Sequence, residues 1–412
     1  MNWGREMQGK QLDFMPCSQW QRELSNSATD IEPQVRELLD KVVEQGDPAI
    51  EELSQRFDGF SPRFIELKPY DQYGLETGLL NAIVAAGKRI EAFAEFQRKQ
   101  LRDSTYLDEC GEFGFRYQPI ERIGAYIPGG RFPLISTALM TLIPAKLAGC
   151  RERIACSPSD HPAVLAAASF AGATQFIQIG GAQAIAALAF GYQQINPVQM
   201  IVGPGNQYVN IAKQLLSNRV QIDVAAGPSE LLILADEEVN QEWLIADMAA
   251  QAEHDPQAQS ILVSDSQSLL NQVREQLETD EALTELLQQN QIVLLLAQSI
   301  EEMVNFSNQY AAEHLLLADT RIDQGRLINF GSLFVGENSA VAYGDYCSGP
   351  NHTLPTMGTA NRSSGLSVQS FMKLQSVQSI HDQGRKELSS IGEKIAEAEQ
   401  LVWHKRSMQV RS

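Results

Sequence analysis

Cysteine is scarce in this chain and shows no pairing pattern. The five cysteines follow no regular spacing and include no Cys-x-x-Cys motif; they are Cys17, Cys110, Cys150, Cys156 and Cys347. An odd, irregular set fits a reducing compartment better than a disulfide framework. We therefore expect a cytoplasmic protein without disulfide bonds.

Basic residues and long apolar runs are also lacking. Against 51 acidic residues there are 32 Lys and Arg, which gives a formal net charge of -19. No basic stripe is present for a phosphate backbone, so we do not expect nucleic acid as a partner. The N-terminus has no signal-type apolar run, and later runs such as 292–297 are far too short to cross a membrane.

The apolar pattern that is present predicts an α/β fold. From about residue 123, short apolar segments alternate with Ala-rich helical segments, as in βαβ units with largely parallel sheets. The expected strands are 153–156, 176–179, 200–202, 220–224, 231–235, 261–263, 292–296 and 333–335. Helical periodicity marks 31–45, with Asp30 as N-cap and Gly46 after the end, about 75–97, and 388–401 in a C-terminal arm.

Four of the six histidines lie near a carboxylate or carboxamide, which points to one composite site. Gln251 and His254 are three residues apart in an expected helix and face the same way, but alone they fit a solvated surface better than a metal site. Asp345 and His352 share a Gly-, Pro- and Asn-containing loop, where a metal ligand and substrate contact compete with a hydrogen-bonded turn.

The remaining histidines divide into one candidate pair and three more isolated residues. Glu313 and His314 are adjacent proton acceptors suited to general base catalysis, although a surface Glu with a capping His is the alternative. His404, five residues after Glu399, fits a helix C-terminus better than a ligand role. His161 and His381 are expected to be structural.

Glycine-rich turns occupy three strand-to-helix positions. They are Gly129-Gly130, Gly180-Gly181-Ala182-Gln183 and Gly203-Pro204-Gly205-Asn206. Such backbones can approach the phosphates of a ligand, but Tyr208 stands where a dinucleotide fingerprint has its third glycine. From the glycines alone, tight structural turns are favoured over a cofactor cradle.

Taken together, seven motifs in order resemble the histidinol dehydrogenase family over nearly the whole chain. They are Tyr-Ile-Pro-Gly-Gly at 126–130, the Gly-Gly-Ala-Gln run at 180–189, Gly-Pro-Gly-Asn at 203–206, Ala-Gly-Pro-Ser-Glu at 226–230, Gln-Ala-Glu-His at 251–254, Glu-His-Leu at 313–315, and Gly-Asp-Tyr with Asn-His-Thr-Leu-Pro-Thr at 344–356. The resemblance implies zinc-dependent, NAD-linked oxidation of L-histidinol to L-histidine through an aldehyde, within histidine biosynthesis.

The resemblance also assigns residues to roles. The zinc ligands implied are Gln251, His254, Asp345 and His404, with His404 from the partner subunit of a homodimer. The implied acid-base pair is Glu313 and His314, and the implied NAD-binding residues are Tyr126, Gln183 and Asn206. The residues implied to contact the substrate are Ser136, Ser229, His352 and Glu399, together with His314 and the four zinc ligands. It implies an N-terminal arm (1–17), a catalytic Rossmann-like domain (18–125 and 230–366), an inserted NAD-binding Rossmann-like domain (126–229) and a C-terminal dimerisation arm (367–412), with the helical terminal segments exchanged in the dimer.

Some features depart from the family pattern or support alternatives. Arg131 and Phe132 replace small residues, as in related dehydrogenases of sulfonated diols, so another polyol or amino alcohol is the alternative substrate. Ala312 replaces a common proline and Tyr192 a small polar residue. Cys347, within the Asp345 loop, suggests a covalent thiolate route to aldehyde oxidation as a rival mechanism. A non-catalytic metal-bound scaffold is a further alternative, against which the adjacent proton acceptors argue.

Overall fold

The computed structural model describes residues 14–22, 27–129, 133–224 and 227–412, without the side chains of 27–30. Most of the expected N-terminal arm and the departures at Arg131 and Phe132 lie outside this description. The prediction of Asp30 as an N-cap is wrong, because the helix begins at Ser27 and Asp30 lies within it. Within it, no helix is both long and apolar enough to cross a membrane.

The described strands run in chain order from β1 to β15. They are β1 (Met15–Pro16), β2 (Arg63–Phe64), β3 (Ser104–Leu107), β4 (Gly111–Pro119), β5 (Arg122–Tyr126), β6 (Glu152–Ser157), β7 (Gln175–Gln178), β8 (Met200–Val202), β9 (Gln221–Ile222), β10 (Glu230–Leu234), β11 (Gln259–Ser264), β12 (Ile292–Leu296), β13 (His314–Leu317), β14 (Ser332–Val335) and β15 (Met372–Ile380). They form three sheets.

The described helices run from α1 to α14. They are α1 (Ser27–Gln45), α2 (Asp47–Phe57), α3 (Thr77–Gln100), α4 (Ile135–Ala148), α5 (Pro162–Ala171), α6 (Gly181–Phe190), α7 (Gln207–Leu216), α8 (Gln241–Ala252), α9 (Gln267–Thr279), α10 (Thr284–Gln288), α11 (Ile300–Tyr310), α12 (Val341–Tyr346), α13 (Asp382–Ala398) and α14 (Val402–Gln409). The expected helices at 31–45, 75–97 and 388–401 correspond to α1, α3 and most of α13.

Two six-stranded sheets confirm the α/β prediction. Sheet 1 has the order β2-β7-β6-β5-β8-β9, and every pairing in it is parallel except that of β2 with β7. Sheet 2 has the order β1-β12-β11-β10-β13-β14 and is parallel throughout. In both, an early strand, β2 or β1, lies at one edge. The other five strands start at the centre, build towards that edge, and then cross back to the other side, as in doubly wound folds.

The central strands of both sheets are largely buried because helices cover the two faces. All five residues of β10 are buried. The helices α5 and α6 are rich in alanine, whose small side chain allows close packing against neighbouring elements. Continuous apolar strands of this kind are typical of parallel sheets with helices on both sides. Sheet 1 also includes β2 and the first four residues of β5, all of which precede residue 126. The position of the domain borders stays a prediction.

The third sheet was not predicted from the sequence. Sheet 3 has the order β15-β4-β3 and is antiparallel, and β15 pairs with β4 over nine residues. Its apolar residues Leu374, Val377 and Ile380 recur every three positions, which is not the alternation that marks a strand. Pairing with a segment more than 250 residues earlier in the chain therefore decides the structure of this Ser- and Gln-rich stretch.

Candidate active site

The glycine turns meet at the carboxyl-terminal edge of sheet 1. Tyr126 ends β5, and the turn from Gly203 to Asn206 follows β8, the strand paired with β5 on the side to which the chain crosses back. This is the topological switch point, where open parallel sheets bind ligands. A Cβ atom on Gly203 would lie 2.0 Å from the Tyr126 carbonyl oxygen, so glycine is required for the two turns to touch.

A buried ion pair binds the backbone of Gly203. The Gly203 N–H donates to Asp223 Oδ2 at 2.7 Å, and the Gly203 carbonyl accepts from Lys213 Nζ at 2.9 Å. Lys213 also pairs with Asp223, and the two side chains are 1% and 0% exposed. Both backbone groups of this glycine are therefore fixed by charged partners. This arrangement was not predicted from the sequence, because only packing brings the two charges together.

Gln183, in the first turn of α6, and Tyr126 take part in hydrogen bonds at the start of that helix. The Gln183 amide donates to Asp58 Oδ2 at 3.0 Å, the Gly180 N–H donates to the same oxygen at 3.1 Å, and the Gly181 N–H donates to the Tyr126 hydroxyl at 3.3 Å. Burial raises the pKa of Asp58 despite these hydrogen bonds. Asp58 was not singled out from the sequence, since it follows α2, far from any glycine motif.

Asn206 completes this edge of the sheet. It is the N-cap of α7, and its side-chain oxygen accepts from the Val209 N–H at 3.1 Å. The side chain remains exposed, so it can contact a ligand while it caps the helix. The structure thus brings Tyr126, Gln183 and Asn206 to the same edge of sheet 1.

A second cluster lies at the amino-terminal edge of sheet 2. His314 is the first residue of β13, and Glu313 directly precedes it. Gln251 lies in the last turn of α8, His254 follows the end of that helix, and Asp345 lies in α12. The helix expected to carry both Gln251 and His254 therefore ends between them, although the two residues stay adjacent: the His254 N–H donates to the Gln251 carbonyl at 3.4 Å.

Asp345 is the centre of the second cluster. Its Oδ2 lies 3.8 Å from His254 Nε2, and its Oδ1 lies 3.7 Å from His314 Nε2. His352 Nδ1 donates to the Asp345 carbonyl oxygen at 2.9 Å. On the other side of the imidazole, His314 Nδ1 lies 3.6 Å from Glu313 Oε2. Three segments that are distant in the sequence thus converge within a few ångströms.

Burial changes the protonation of the catalytic candidates. Burial and the charge of Asp345 raise the pKa of Glu313 well above its usual range, against a hydrogen bond from Ser229 that lowers it. Burial lowers the pKa of His314 to about 4 despite the nearby Asp345. At neutral pH the His314 imidazole is therefore uncharged and able to accept a proton. Opposite shifts in adjacent groups are typical of acid-base sites.

The pKa values of the two titratable ligand candidates, His254 and Asp345, shift in the directions that favour their charged forms. Attraction to the Asp345 carboxylate raises the pKa of His254. Burial opposes ionisation of Asp345, but His254, His314 and His352 together outweigh it, so that the pKa of Asp345 is lowered. Asp345 is therefore ionised at neutral pH, as an anionic metal ligand must be.

The donor atoms of this cluster suit a zinc ion. Within the described chain, the Gln251 amide nitrogen, both His314 ring nitrogens and His352 Nε2 are buried without hydrogen-bond partners. Imidazole nitrogen with carboxylate and amide oxygen is a donor set for zinc or a neighbouring divalent ion. No group of three or more described His, Cys, Asp or Glu side chains is placed to hold a metal. That result is consistent with the expected ligand set, because a glutamine amide and a histidine from another subunit do not count towards such a group.

The expected substrate residues lie in three places. Ser229 hydrogen-bonds to Glu313, and His352 contacts Asp345, so both belong to the second cluster. Ser136 lies in the first turn of α4. Asn351 donates from its side chain to the Met140 carbonyl of α4 at 2.5 Å, so the His352 loop touches the helix that carries Ser136. This contact connects the second cluster with the elements around sheet 1.

Glu399 and His404 are not part of this cluster. Glu399 follows α13, His404 lies in α14, and both side chains are exposed. In the described part of the chain, neither forms a hydrogen bond or an ion pair with the Asp345 cluster. The roles expected for Glu399 and His404 therefore stay predictions.

The family model for histidinol dehydrogenase matches residues 21–412. Histidinol dehydrogenase from Methanothermobacter thermautotrophicus is 40% identical over 97% of this chain and 98% of that protein. The enzyme of the same name from Thermus thermophilus is 40% identical over 92% of this chain and 94% of its own length. The crystal structure of histidinol dehydrogenase from Elizabethkingia anophelis matches with a TM-score of 0.86 and 35% identity, and the match covers 97% of this chain and 94% of that one.

Proposed function

This chain belongs to the histidinol dehydrogenase family and is an NAD-linked oxidoreductase of histidine biosynthesis; from this premise we propose how its residues carry out the reaction. L-Histidinol is oxidised to L-histidine through histidinaldehyde in two steps, each of which reduces one NAD. The observation that supports the proposal most directly is the convergence of Glu313, His314, His254 and Asp345 at one cluster.

Gln251, His254 and Asp345, with His404 of a second subunit, are the proposed zinc ligands. Bound there, zinc would supply a positive centre that orients the imidazole and amine of histidinol. His254 and Asp345 are already 3.8 Å apart, and the Gln251 amide is 3% exposed. Ser136, Ser229, His352 and Glu399 would contact the substrate, together with His314 and the ligand residues.

His314 and Glu313 divide the proton transfers between them. His314 accepts the alcohol proton in the first oxidation, on an imidazole that burial keeps uncharged. Glu313 then takes a proton from water as the aldehyde is hydrated, before the second hydride leaves. Its Oε2 is fixed by the Glu230 N–H at 2.9 Å, which holds the carboxylate in place between the two steps.

NAD is proposed to bind at the switch point of sheet 1. Tyr126, Gln183 and Asn206 surround this edge, and the turn from Gly203 to Asn206 precedes the N-terminus of α7. A helix N-terminus with close backbone approach favours a pyrophosphate, because its free N–H groups and dipole attract negative charge. The nicotinamide would receive the hydride from the carbinol carbon.

The experiment that tests this function measures NADH production and bound metal together. With histidinol, the purified enzyme is expected to form two NADH per substrate, whereas a sulfonated diol gives none. Chelation is expected to lower the rate at least about 100-fold, because the substrate loses its orientation, and zinc restores it. Full activity in metal-free enzyme would contradict the proposed clamp, and preference for the diol would favour the alternative substrate.

We further propose a homodimer in which the C-terminal arm reaches the partner's active site. The arm exposes large apolar side chains to solvent, among them Leu374 at 60%, Ile395 at 55%, Val402 at 73% and Trp403 at 81%. Large apolar side chains exposed along one segment are typical of an interface between proteins. A second copy of the chain would cover it and bring His404 and Glu399 to the zinc cluster.

Mixed dimers test whether His404 acts across subunits. His254→Ala and His404→Ala enzymes are each expected to be inactive. When they are dissociated and reassociated in equal amounts, one site in each mixed dimer is complete, so about a quarter of the parent activity is expected to return. If both residues served the same subunit, no mixed dimer would contain a complete site. A lack of recovery in dimers shown to have exchanged subunits would therefore exclude the arrangement.

A further inference from the structure

A buried ion pair lies one hydrogen bond away from Glu313. The Glu230 N–H donates to Glu313 Oε2 at 2.9 Å, and the Glu230 carboxylate pairs with the Arg22 guanidinium. The Glu230 and Arg22 side chains are 4% and 17% exposed. A buried pair stabilises a fold little compared with apolar residues of the same shape, so stability alone does not account for it. None of the roles proposed above uses either side chain.

Arg22 also holds the helix that leads to Glu313. Its Nη2 donates to the Tyr310 carbonyl oxygen at 2.5 Å, and its guanidinium carbon lies 4.1 Å from the centre of the Tyr310 ring. Tyr310 is the last residue of α11, three residues before Glu313. Trp20 packs edge-on against the same tyrosine, with ring centres 5.2 Å apart. The segment before α1 thus fixes the backbone that enters the site.

The second Glu230 oxygen holds the segment that follows His352. Glu230 Oε2 accepts from the Met357 N–H at 3.1 Å, and Met357 has a φ of 53°, an unfavourable backbone conformation for a residue other than glycine. The neighbouring Thr356 hydroxyl accepts from the Gly227 N–H at 2.5 Å. One carboxylate therefore connects a strained turn near His352 with the backbone donor to Glu313.

The geometry points to Arg22 and Glu230 as a positioning pair for Glu313. Neither side chain contacts the reacting atoms; the pair aims the Glu313 carboxylate through the Glu230 N–H and through the end of α11. This inference rests on the role proposed for Glu313 in activating water. It follows that the pair supports the aldehyde step much more than the alcohol step, because only the aldehyde step uses Glu313 as a base.

The test compares the two half-reactions in zinc-loaded Arg22→Met and Glu230→Gln enzymes. Oxidation of histidinaldehyde is expected to fall at least about tenfold, because a small misplacement of a base is costly, while the first NADH burst from histidinol changes less than about threefold. Arg326→Met is the matched control, since it removes an exposed ion pair with Glu301 of α11. The control is expected to leave both half-reactions unchanged.

Equal losses in both half-reactions, or an unchanged ratio between them, would overturn the inference. Glu230→Gln keeps the shape of the side chain and an acceptor for the Met357 N–H, so it carries the test if Arg22→Met does not fold. Glu313→Gln is measured alongside. If its aldehyde step is normal, the proposed role of Glu313 is wrong; if that step is lost and the Glu230→Gln ratio is normal, only the positioning role is wrong.

Discussion

A Glu313→Gln enzyme is expected to oxidise histidinol to the aldehyde but to lose at least about 100-fold in the rate of aldehyde oxidation. Glutamine keeps the size of the side chain and an oxygen that can accept from the Glu230 N–H, but it cannot take a proton from water. Single-turnover NADH formation, started separately from histidinol and from histidinaldehyde, measures the two steps. An aldehyde step at the parent rate would rule out Glu313 as the base.

His314→Ala and Cys347→Ser provide the comparison for that result. His314→Ala is expected to slow the alcohol step by about 100-fold or more, because the uncharged imidazole that accepts the first proton is removed. Cys347→Ser is expected to retain both steps. Selective loss of the aldehyde step in Cys347→Ser would instead support a covalent thiolate route.

Lys213→Met is expected to lower the free energy of unfolding by about 3–5 kcal/mol, because Asp223 is then buried without its partner. That is a large fraction of the about 5–15 kcal/mol that stabilises a typical domain. The Gly203 carbonyl also loses its donor, so the turn beside Tyr126 loosens and the KM for NAD rises more than the KM for histidinol. Urea unfolding and steady-state kinetics with each substrate measure the two effects.

Two further variants distinguish the effect of breaking the buried ion pair from the effect of removing any positive charge. Lys41→Met removes an exposed ion pair with Glu52 and is expected to change the free energy of unfolding by less than about 1 kcal/mol. Lys213→Met/Asp223→Leu removes both buried charges, so part of the stability is expected to return while the KM for NAD stays high. A normal KM in the double variant would show that the ion pair does not shape the NAD site.

Much of the fold could be predicted from short-range patterns. The alternation of apolar segments with Ala-rich helices indicated an α/β protein, and the turn from Gly203 to Asn206 lies between β8 and α7 as the sequence predicted. The strand that begins at His314 was not predicted, although its four residues are all buried. A short apolar run fits a strand or a buried helix equally well, and only its pairing with β10 and β14 decides between them.

The candidate site was less visible in the sequence. From spacing alone, Gln251 with His254 fitted a solvated surface, and Glu313 with His314 had a structural alternative. The clustering of histidines with polar residues indicated one composite site, but only the resemblance to a family assigned roles to these residues. The fold places His254 and His314 on opposite oxygens of Asp345, at 3.8 and 3.7 Å, so that their chemistry becomes one cluster. Glu399 and His404 lie outside it, at the C-terminal helices, and their roles stay predictions.

By itself, the sequence determined the fold class, the turns that need glycine and the motifs that mark the family, because these depend on neighbouring residues and on local backbone preferences. Only the tertiary structure decided which charges are buried and what they contact. Arg22 and Glu230 are 208 residues apart, and Asp58 and Gln183 are 125 apart. The pKa of a carboxyl and the direction in which it points are set by packing, which brings together residues that are far apart along the chain.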